Sequence, residues 1–397
     1  MHVLRESERL LKNRDIVIVT LSEWDGPRRI RHHLANEFVK QGNTVLFVEG
    51  FYTLSKFIKH PDLKKLFRFL RGPREINKGL FLLATIPLLP FGEFSSLLSR
   101  INWAVARVLI RRTITLLGMK DPLLFVFAYN GAPLIGQLGE KKSIYFCNDA
   151  FDKLYSQRWL QRRVVALERE IVKKADAVIT VSEKLTEERA PFAKKITTIH
   201  HGVDFGLFEE SLQSSMVPSD LVAIAKPLIG YSGVVRHIID LELLDYLAAE
   251  RPGWSFVIVG PLTESDARYY QRFEDFKKRK NVHHLGSKPS DLIPRYITQF
   301  DVCLLPYATD EVSTYYAAPL KFYEYLAAGK PVVSTVGPYT MSEGVVRNAK
   351  TKDEFLTAIE MAFTTNSPEK ARERKEIARQ NSWAERVDTI DKFIETL

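Results

Sequence analysis

A lysine and a glutamate three residues apart mark the most chemically suggestive stretch of this chain, Pro319-Leu320-Lys321-Phe322-Tyr323-Glu324-Tyr325-Leu326-Ala327-Ala328-Gly329-Lys330-Pro331-Val332-Val333-Ser334. Pro319 suits a first helical position, and Gly329 followed by Pro331 stops the helix ahead of an apolar strand. Lys321, Glu324 and Ala328 then share one face. A cation near a helix N-terminus suits phosphate, and a carboxylate one turn on suits ribose hydroxyls, so the pair reads as equipment for gripping a nucleotide. The same spacing also fits an ordinary surface ion pair. Tyr316, with Ala317 and Ala318, precedes the helix and offers backbone N–H groups to a phosphate. Gly230-Tyr231-Ser232-Gly233 follows a strand-like run, where a glycine pair lets backbone approach a ligand closely. It falls short of a full dinucleotide fingerprint. Tyr307 and Glu311 follow another such run, where a base or a donor sugar would be met.

Asp149 and Asp152 sit in Cys147-Asn148-Asp149-Ala150-Phe151-Asp152, just past the run Lys142–Cys147. A carboxylate there suits proton abstraction from a hydroxyl, or simply caps a helix. No Asp-x-Asp occurs in a plausible metal-site context, so the expected chemistry needs no metal and no bound cofactor.

The elements that must position these residues alternate almost from end to end. Strand-length apolar runs lie at Asp15–Leu21, Thr44–Glu49, Leu123–Ala128, Lys142–Cys147, Ala177–Val181 and Lys195–Ile199, with a helix at Arg28–Lys40. The alternation pauses over Gly202–Lys226, which reads as a link between domains. It resumes with strands at Pro227–Tyr231, Ser255–Val259, Val282–Leu285, Asp301–Leu305 and Pro331–Thr335, and helices at Asp240–Ala249, Asp266–Phe276 and Ser290–Gln299. The segment Thr351–Leu397 is helical. Near-continuous apolar strands between helices predict parallel sheets covered on both faces. The expected fold class is α/β, with two open sheets facing each other across a cleft. The predicted domains are 1–204, 205–375 and a terminal helical segment 376–397 that packs back on the first.

The chain has 397 residues, a net charge of +9 and 26% charged residues. That length allows two cores, and the basic balance predicts an anionic partner. Cys147 and Cys303 lie in apolar runs and read as buried thiols of a reducing compartment. The first residues lack the apolar core of a signal peptide, and the longest apolar run, Leu80–Phe91, is broken by Pro87 and Pro90. A cytoplasmic protein is expected. Phe51–Lys78 interleaves eight basic residues with aromatic and aliphatic ones, and Ser95–Leu117 sets Trp103, Leu109 and Ile110 beside Arg100, Arg107, Arg111 and Arg112. Basic amphipathic helices of this kind predict in-plane binding to an anionic membrane surface, here the inner face of the cell membrane. Nothing resembles a nucleic-acid module.

Four stretches in order resemble glycosyltransferases of the GT-B fold, in particular glycosyltransferase family 4 and its teichuronic-acid type. They are Trp24-Asp25-Gly26-Pro27-Arg28-Arg29 with His32-His33-Leu34-Ala35, Ala175–Glu183, His201-Gly202-Val203-Asp204, and Pro319–Val333. The basic loop and the Pro-Arg-Arg stretch are more faintly similar to the xanthan glucuronosyltransferase type, which suggests a uronic acid donor. The resemblance implies two Rossmann-like domains and transfer of a sugar from a nucleotide sugar, with UDP the expected carrier. It implies a lipid-linked or polysaccharide acceptor of the cell envelope. Lys321 would meet the diphosphate, or a uronic acid carboxylate, and Glu324 the ribose. Arg236 resembles the family's basic residue for the diphosphate. Asp149, or Asp152, would take the acceptor proton in an inverting enzyme. Asp25, Arg28, Arg29, His32 and His33 would hold the acceptor's phosphate or hydroxyls. Retaining members carry a second glutamate eight positions before the one matched by Glu324, and Tyr316 stands there instead. Two rivals share the fold: a sugar-nucleotide epimerase, and a subunit that binds a nucleotide sugar without turning it over.

Overall fold

Each half of the chain builds its own sheet, because its strands are apolar on both faces and need helices on both sides. The computed structural model describes residues 11–26, 28–50, 68–69, 71–85, 89, 95–214, 216–264, 266–308, 320–336 and 345–397. Two units emerge: Met1–His200 with Arg386–Leu397, and His201–Glu385. Tyr316 and Glu311 lie outside the described residues, as do residues 51–67 and 70 of the basic segment.

The first unit holds eight strands in the order β3-β4-β2-β1-β5-β6-β7-β8. These are β1 (Asp15–Val19), β2 (Thr44–Val48), β3 (Arg74–Asn77), β4 (Leu80–Leu83), β5 (Leu123–Val126), β6 (Lys142–Cys147), β7 (Ala177–Thr180) and β8 (Ile196–Thr198). Every pairing is parallel except β3 with β4. The second unit holds β9 (Leu228–Ser232), β10 (Ser255–Val259), β11 (Val282–Gly286), β12 (Val302–Leu305), β13 (Val332–Ser334) and β14 (Val346–Asn348). Their order is β11-β10-β9-β12-β13-β14, all parallel. That is the doubly wound Rossmann order, and its ligand position is the carboxyl edge where the winding reverses. The reversal falls between β9 and β12 in the second unit and between β1 and β5 in the first.

Three expectations need correction. The link Gly202–Lys226 carries helices Phe205–Gln213 and Ser219–Val222. The Asp204 carboxylate caps the first by accepting from the Leu207 N–H (3.4 Å), and Phe208 and Leu221 are buried in the second unit's core. Arg74–Asn77, inside the basic segment, is an edge strand in a hairpin with β4, not a helix. Ser95–Leu117 is indeed a helix, Ser96–Leu116, but Trp103 and Ile110 of its expected membrane face are core residues. A different stripe faces outward: Leu97 (68% exposed), Ile101 (39%) and Val108 (60%), flanked by exposed Arg100, Arg111 and Arg112. Among the described residues, no helix is long and apolar enough to cross a membrane.

The helix Trp383–Glu395 starts in the second unit and ends in the first. Its later residues are tied down there: the Leu11 N–H donates to Asp391 (2.8 Å), and Lys142 donates to the Leu397 carbonyl (3.0 Å).

Candidate functional site

In the second unit the expected ligand residues gather at the reversal between β9 and β12. The helix Leu320–Ala327 begins there, with Phe322, Tyr325 and Leu326 buried beneath it. Tyr325 anchors it: its hydroxyl oxygen accepts the Ser232 N–H at the end of β9 (2.9 Å). Lys321 then lies directly against Gly233. A Cβ on Gly233 would stand 1.7 Å from Lys321 Cε and 2.5 Å from Nζ, and φ is +148°. Only glycine leaves room for that ammonium, which also sits 5.8 Å from the Tyr231 ring centroid. Glu324, partly open to solvent, is one turn on. Burial pushes its carboxyl above the ordinary value, and the Lys321 charge pulls it back. Thus Lys321 and Glu324 set a cation and a carboxylate beside the Gly233 backbone, while the Ser232 and Gly233 N–H groups are spent within the fold, on the Tyr325 hydroxyl and the Val259 carbonyl (2.8 Å).

The neighbouring groups brace the cluster. Tyr307 is buried after β12, and its carbonyl accepts the Thr335 hydroxyl (2.6 Å). Burial, with Tyr307 and Tyr269 nearby, pushes the Tyr231 hydroxyl well above its ordinary value, and Arg236, exposed on the same loop as Gly233, pulls weakly the other way. Gly230 plays a different part. A Cβ there would stand 2.0 Å from the Phe300 ring, so this glycine serves packing rather than ligand approach. Sequence reasoning missed Gly260 and Glu264. A Cβ on Gly260 would meet the Gly233 carbonyl oxygen at 2.0 Å. Glu264 accepts the His237 N–H (2.7 Å) and lies 2.9 Å from its ring Nδ1, pinning the far end of the glycine loop. A glycine directly after the β10 run was the available signal for the first; nothing local announced the second.

In the first unit the loops after β1, β5 and β6 carry the candidates. Asp149 follows β6, and its carboxylate accepts the Ala150 N–H (2.9 Å) at the start of the single-turn helix Phe151–Leu154. Asp152 lies in that turn. A sealed network supports β6 from below. Tyr145 donates to Glu168 (2.8 Å), the Cys147 thiol points at the same carboxylate (3.1 Å), and Arg189 pairs with it at 2.9 Å. Burial pushes both the Tyr145 hydroxyl and the Cys147 thiol well above their usual values, so both stay protonated.

The β1 loop separates its five expected ligands. Asp25 is paired with Arg68 at 2.6 Å. Arg28 stacks over Trp24, 4.9 Å from ring centroid to Cζ, and Arg29 is exposed. His33 is half-buried. His32 is withdrawn from any ligand: it is fully buried, with Nδ1 accepting the Arg29 N–H (3.0 Å) and Nε2 held by the Glu23 carbonyl (3.0 Å). Desolvation lowers its pKa to about 4, so it stays neutral between Trp24 and Phe47. Buried Glu49 fixes the same loop by accepting the Trp24 N–H (2.7 Å). The residue that sequence reasoning passed over is Arg31, 5% exposed, between the histidines and arginines it did name. Its Cζ lies 5.9 Å from the Phe127 ring centroid, just past β5. Desolvation, with Arg29 nearby, lowers its pKa to about 10, and Asp149 counteracts. Among the described residues, no group of three or more His, Cys, Asp or Glu has metal-holding geometry.

Comparison with known proteins agrees with this two-unit plan. A profile described as Glycosyltransferase Family 4 matches residues 24–206, and one described as Glycosyl transferases group 1 matches residues 236–364. The chain is 29% identical over 279 residues to TuaH of Bacillus subtilis (strain 168), provisionally described as a teichuronic acid biosynthesis glycosyltransferase; this spans 65% of the chain and 68% of TuaH. Among solved structures it is similar to sucrose-phosphate synthase from Thermosynechococcus elongatus, with TM-score 0.68, 15% identity and coverage of 96% of this chain and 98% of that one. It is also similar to Anabaena HepE in complex with UDP and glucose, with TM-score 0.64, 16% identity and coverage of 96% and 99%. At these identities the structures speak for the fold.

Proposed function

We propose that this chain, a GT-B glycosyltransferase of the family 4 type, moves a hexosyl or glucuronosyl group from a UDP-linked donor to a lipid-linked or polysaccharide acceptor in cell-envelope polysaccharide assembly. The observation that carries the reading is the packing of Lys321 into the space left by Gly233, with Glu324 one turn away, at the winding reversal of the second sheet. Lys321 and the N-terminus of its helix meet the diphosphate, Arg236 supports them, and Glu324 accepts the ribose hydroxyls. In the reaction the anomeric C–O bond to the diphosphate breaks, and a bond from the acceptor oxygen to that carbon forms. The leaving diphosphate's charge is held by these cations rather than by a metal. The acceptor hydroxyl proton passes to Asp149, at the end of β6 in the first unit.

TuaH's description in teichuronic acid biosynthesis favours an envelope polysaccharide, and the UDP in HepE favours that carrier. The outward stripe Leu97, Ile101 and Val108 with its arginines favours attachment to an anionic membrane surface on the inner face of the cell membrane. The test is product formation. Purified protein, envelope lipid extract and each of a panel of labelled nucleotide sugars are incubated, and transfer of label to the lipid or polymer fraction is followed with equimolar nucleoside diphosphate release. Absence of label in the lipid and polymer fractions with every donor would refute transfer, and interconversion of the sugar on its nucleotide would favour the epimerase reading.

A further inference from the structure

Three polar side chains in the first unit each bury an atom that is left unsatisfied, all at one place. Among the described residues, Arg31 Nε, Asn130 Oδ1 and Asn148 Oδ1 are sealed from solvent and have no hydrogen-bond partner. Folding normally pairs such atoms, because leaving a buried donor or acceptor unmade costs stability. Their positions are not scattered. Arg31 follows β1, Asn130 follows β5 and Asn148 follows β6, and β1, β5 and β6 are consecutive in the sheet. All three stand at the carboxyl edge, beside the winding reversal. Contacts between these loops hold them together: the Arg31 guanidinium lies over Phe127, Phe127 stacks on Phe146 at 4.9 Å, and Tyr129 meets Phe151 at 5.2 Å.

The chemistry of the three groups is specific. Of the Arg31 nitrogens only Nε is both sealed and unpaired, so the outer fork keeps its access while its rotation is blocked by burial. A buried, orientated guanidinium with no carboxylate bonded to it is suited to an oxyanion that can take two parallel N–H bonds. Both asparagines are only partly buried, so each presents one amide end to the surface with the other held inside. Amide ends of that kind suit hydroxyl groups. Asp149 sits beside this group and acts electrostatically on Arg31.

We propose that Arg31, Asn130 and Asn148 form a subsite for a phosphorylated saccharide, Arg31 taking the phosphate oxygens and the two amides the neighbouring sugar hydroxyls. This rests on the glycosyltransferase reading and names the class of acceptor for it. The phosphate is the recognised group whether it belongs to a soluble sugar phosphate or to a lipid-linked one.

The experiment measures binding to the full chain by calorimetry in saturating UDP, which occupies the donor site. The probes are N-acetylglucosamine 1-phosphate, farnesyl phosphate and the neutral methyl N-acetylglucosaminide. The expected result is binding of at least one phosphate probe, with the neutral glycoside weaker by about tenfold or more. Arg31→Gln loses that binding by at least about tenfold, Arg31→Lys keeps part of it, and Asn148→Ala weakens the sugar phosphate but not farnesyl phosphate. Binding of farnesyl phosphate alone assigns the phosphate to a lipid and removes the saccharide part of the proposal. Near-UV circular dichroism and a urea transition matching wild type report that the first unit of each variant is folded, and UDP stabilisation reports the same for the second. Equal binding of a phosphate probe by wild type and by folded Arg31→Gln overturns the inference. So does absence of binding by both phosphate probes when UDP does bind. Failure of UDP itself to bind would instead strike the donor-site reading, and loss of sugar phosphate binding in Arg31→Gln would still support the subsite.

Discussion

Gly233→Ala is a sharp probe of the donor cluster, because its two consequences can be worked out separately. The new methyl would stand 1.7 Å from Lys321 Cε and 2.5 Å from Nζ, at a φ of +148°. The backbone strain at such an angle costs about 1–3 kcal/mol. The clash itself adds little, because the obstacle is the end of a flexible lysine that can swing away. For a domain of this size each kcal/mol lowers Tm by about 2–4 °C, so a fall of roughly 2–12 °C is expected. The swing matters more for the ligand. An ammonium displaced from the diphosphate gives up a charge-assisted contact of about 1.5–3 kcal/mol, which is roughly ten- to 150-fold in donor affinity. Gly253→Ala, with nothing within 4 Å of the added methyl, is the control and leaves both quantities near wild type. Gly260→Ala strikes rigid backbone at 2.0 Å instead of a side chain, so its stability loss exceeds that of Gly233→Ala. The assays are differential scanning fluorimetry and nucleotide-sugar titration. Donor affinity within twofold of wild type in folded Gly233→Ala would refute the placement of Lys321 on the diphosphate.

Glu324→Gln separates stability from binding. Burial raises the Glu324 pKa in the folded chain, so the stability tied to its neutral form is present below the ordinary value of 4.5 and is lost as pH rises through the folded value. At neutral pH the glutamine variant is therefore expected to be at least as stable as wild type while binding the donor more weakly; a lower Tm at pH 7.5 together with a higher one at pH 4 would contradict this. Arg189→Met leaves the Glu168 carboxylate buried without its partner at 2.9 Å, and urea unfolding should show a loss of about 3–5 kcal/mol, part of it recovered on adding Glu168→Gln. Placing glutamate at both Ile101 and Val108 should release the protein from anionic liposomes in a flotation assay without changing donor affinity; unchanged flotation would remove that stripe from membrane attachment.

The strands were legible because parallel strands are buried on both faces and read as unbroken apolar runs. Lys142–Cys147 appears in the structure with the same bounds. Arg74–Asn77 escaped notice because an edge strand is held on one side only and tolerates charge, so no alternation marks it. The helix Phe205–Gln213 was hidden in a serine-rich stretch whose one signal was the capping Asp204. The amphipathic reading of Ser96–Leu116 found the right helix and the wrong face: Trp103 and Ile110 lie on the side that packs into the core, and Leu97, Ile101 and Val108, of similar apolar character, lie on the side left outside, so composition alone does not tell the two faces apart. At the candidate site, Lys321 and Glu324 were visible because helix spacing is local. The contact of Lys321 with Gly233 was not, because it joins residues far apart in sequence. Arg31 and His32 are adjacent, and only burial shows that the histidine is consumed by its own loop while the arginine is left wanting a partner.

The most direct measurement is thermal stabilisation by a panel of nucleotides and nucleotide sugars, on wild type, Lys321→Ala and Glu324→Ala. A ligand at a hundred times its Kd stabilises the folded state by about 2.7 kcal/mol, a shift of several degrees. UDP and one UDP-sugar are expected to stabilise wild type, and both variants, folded when free, to lose most of that shift. No response of wild type to any nucleotide, or an equal response of all three proteins, would contradict a donor site built on Lys321 and Glu324.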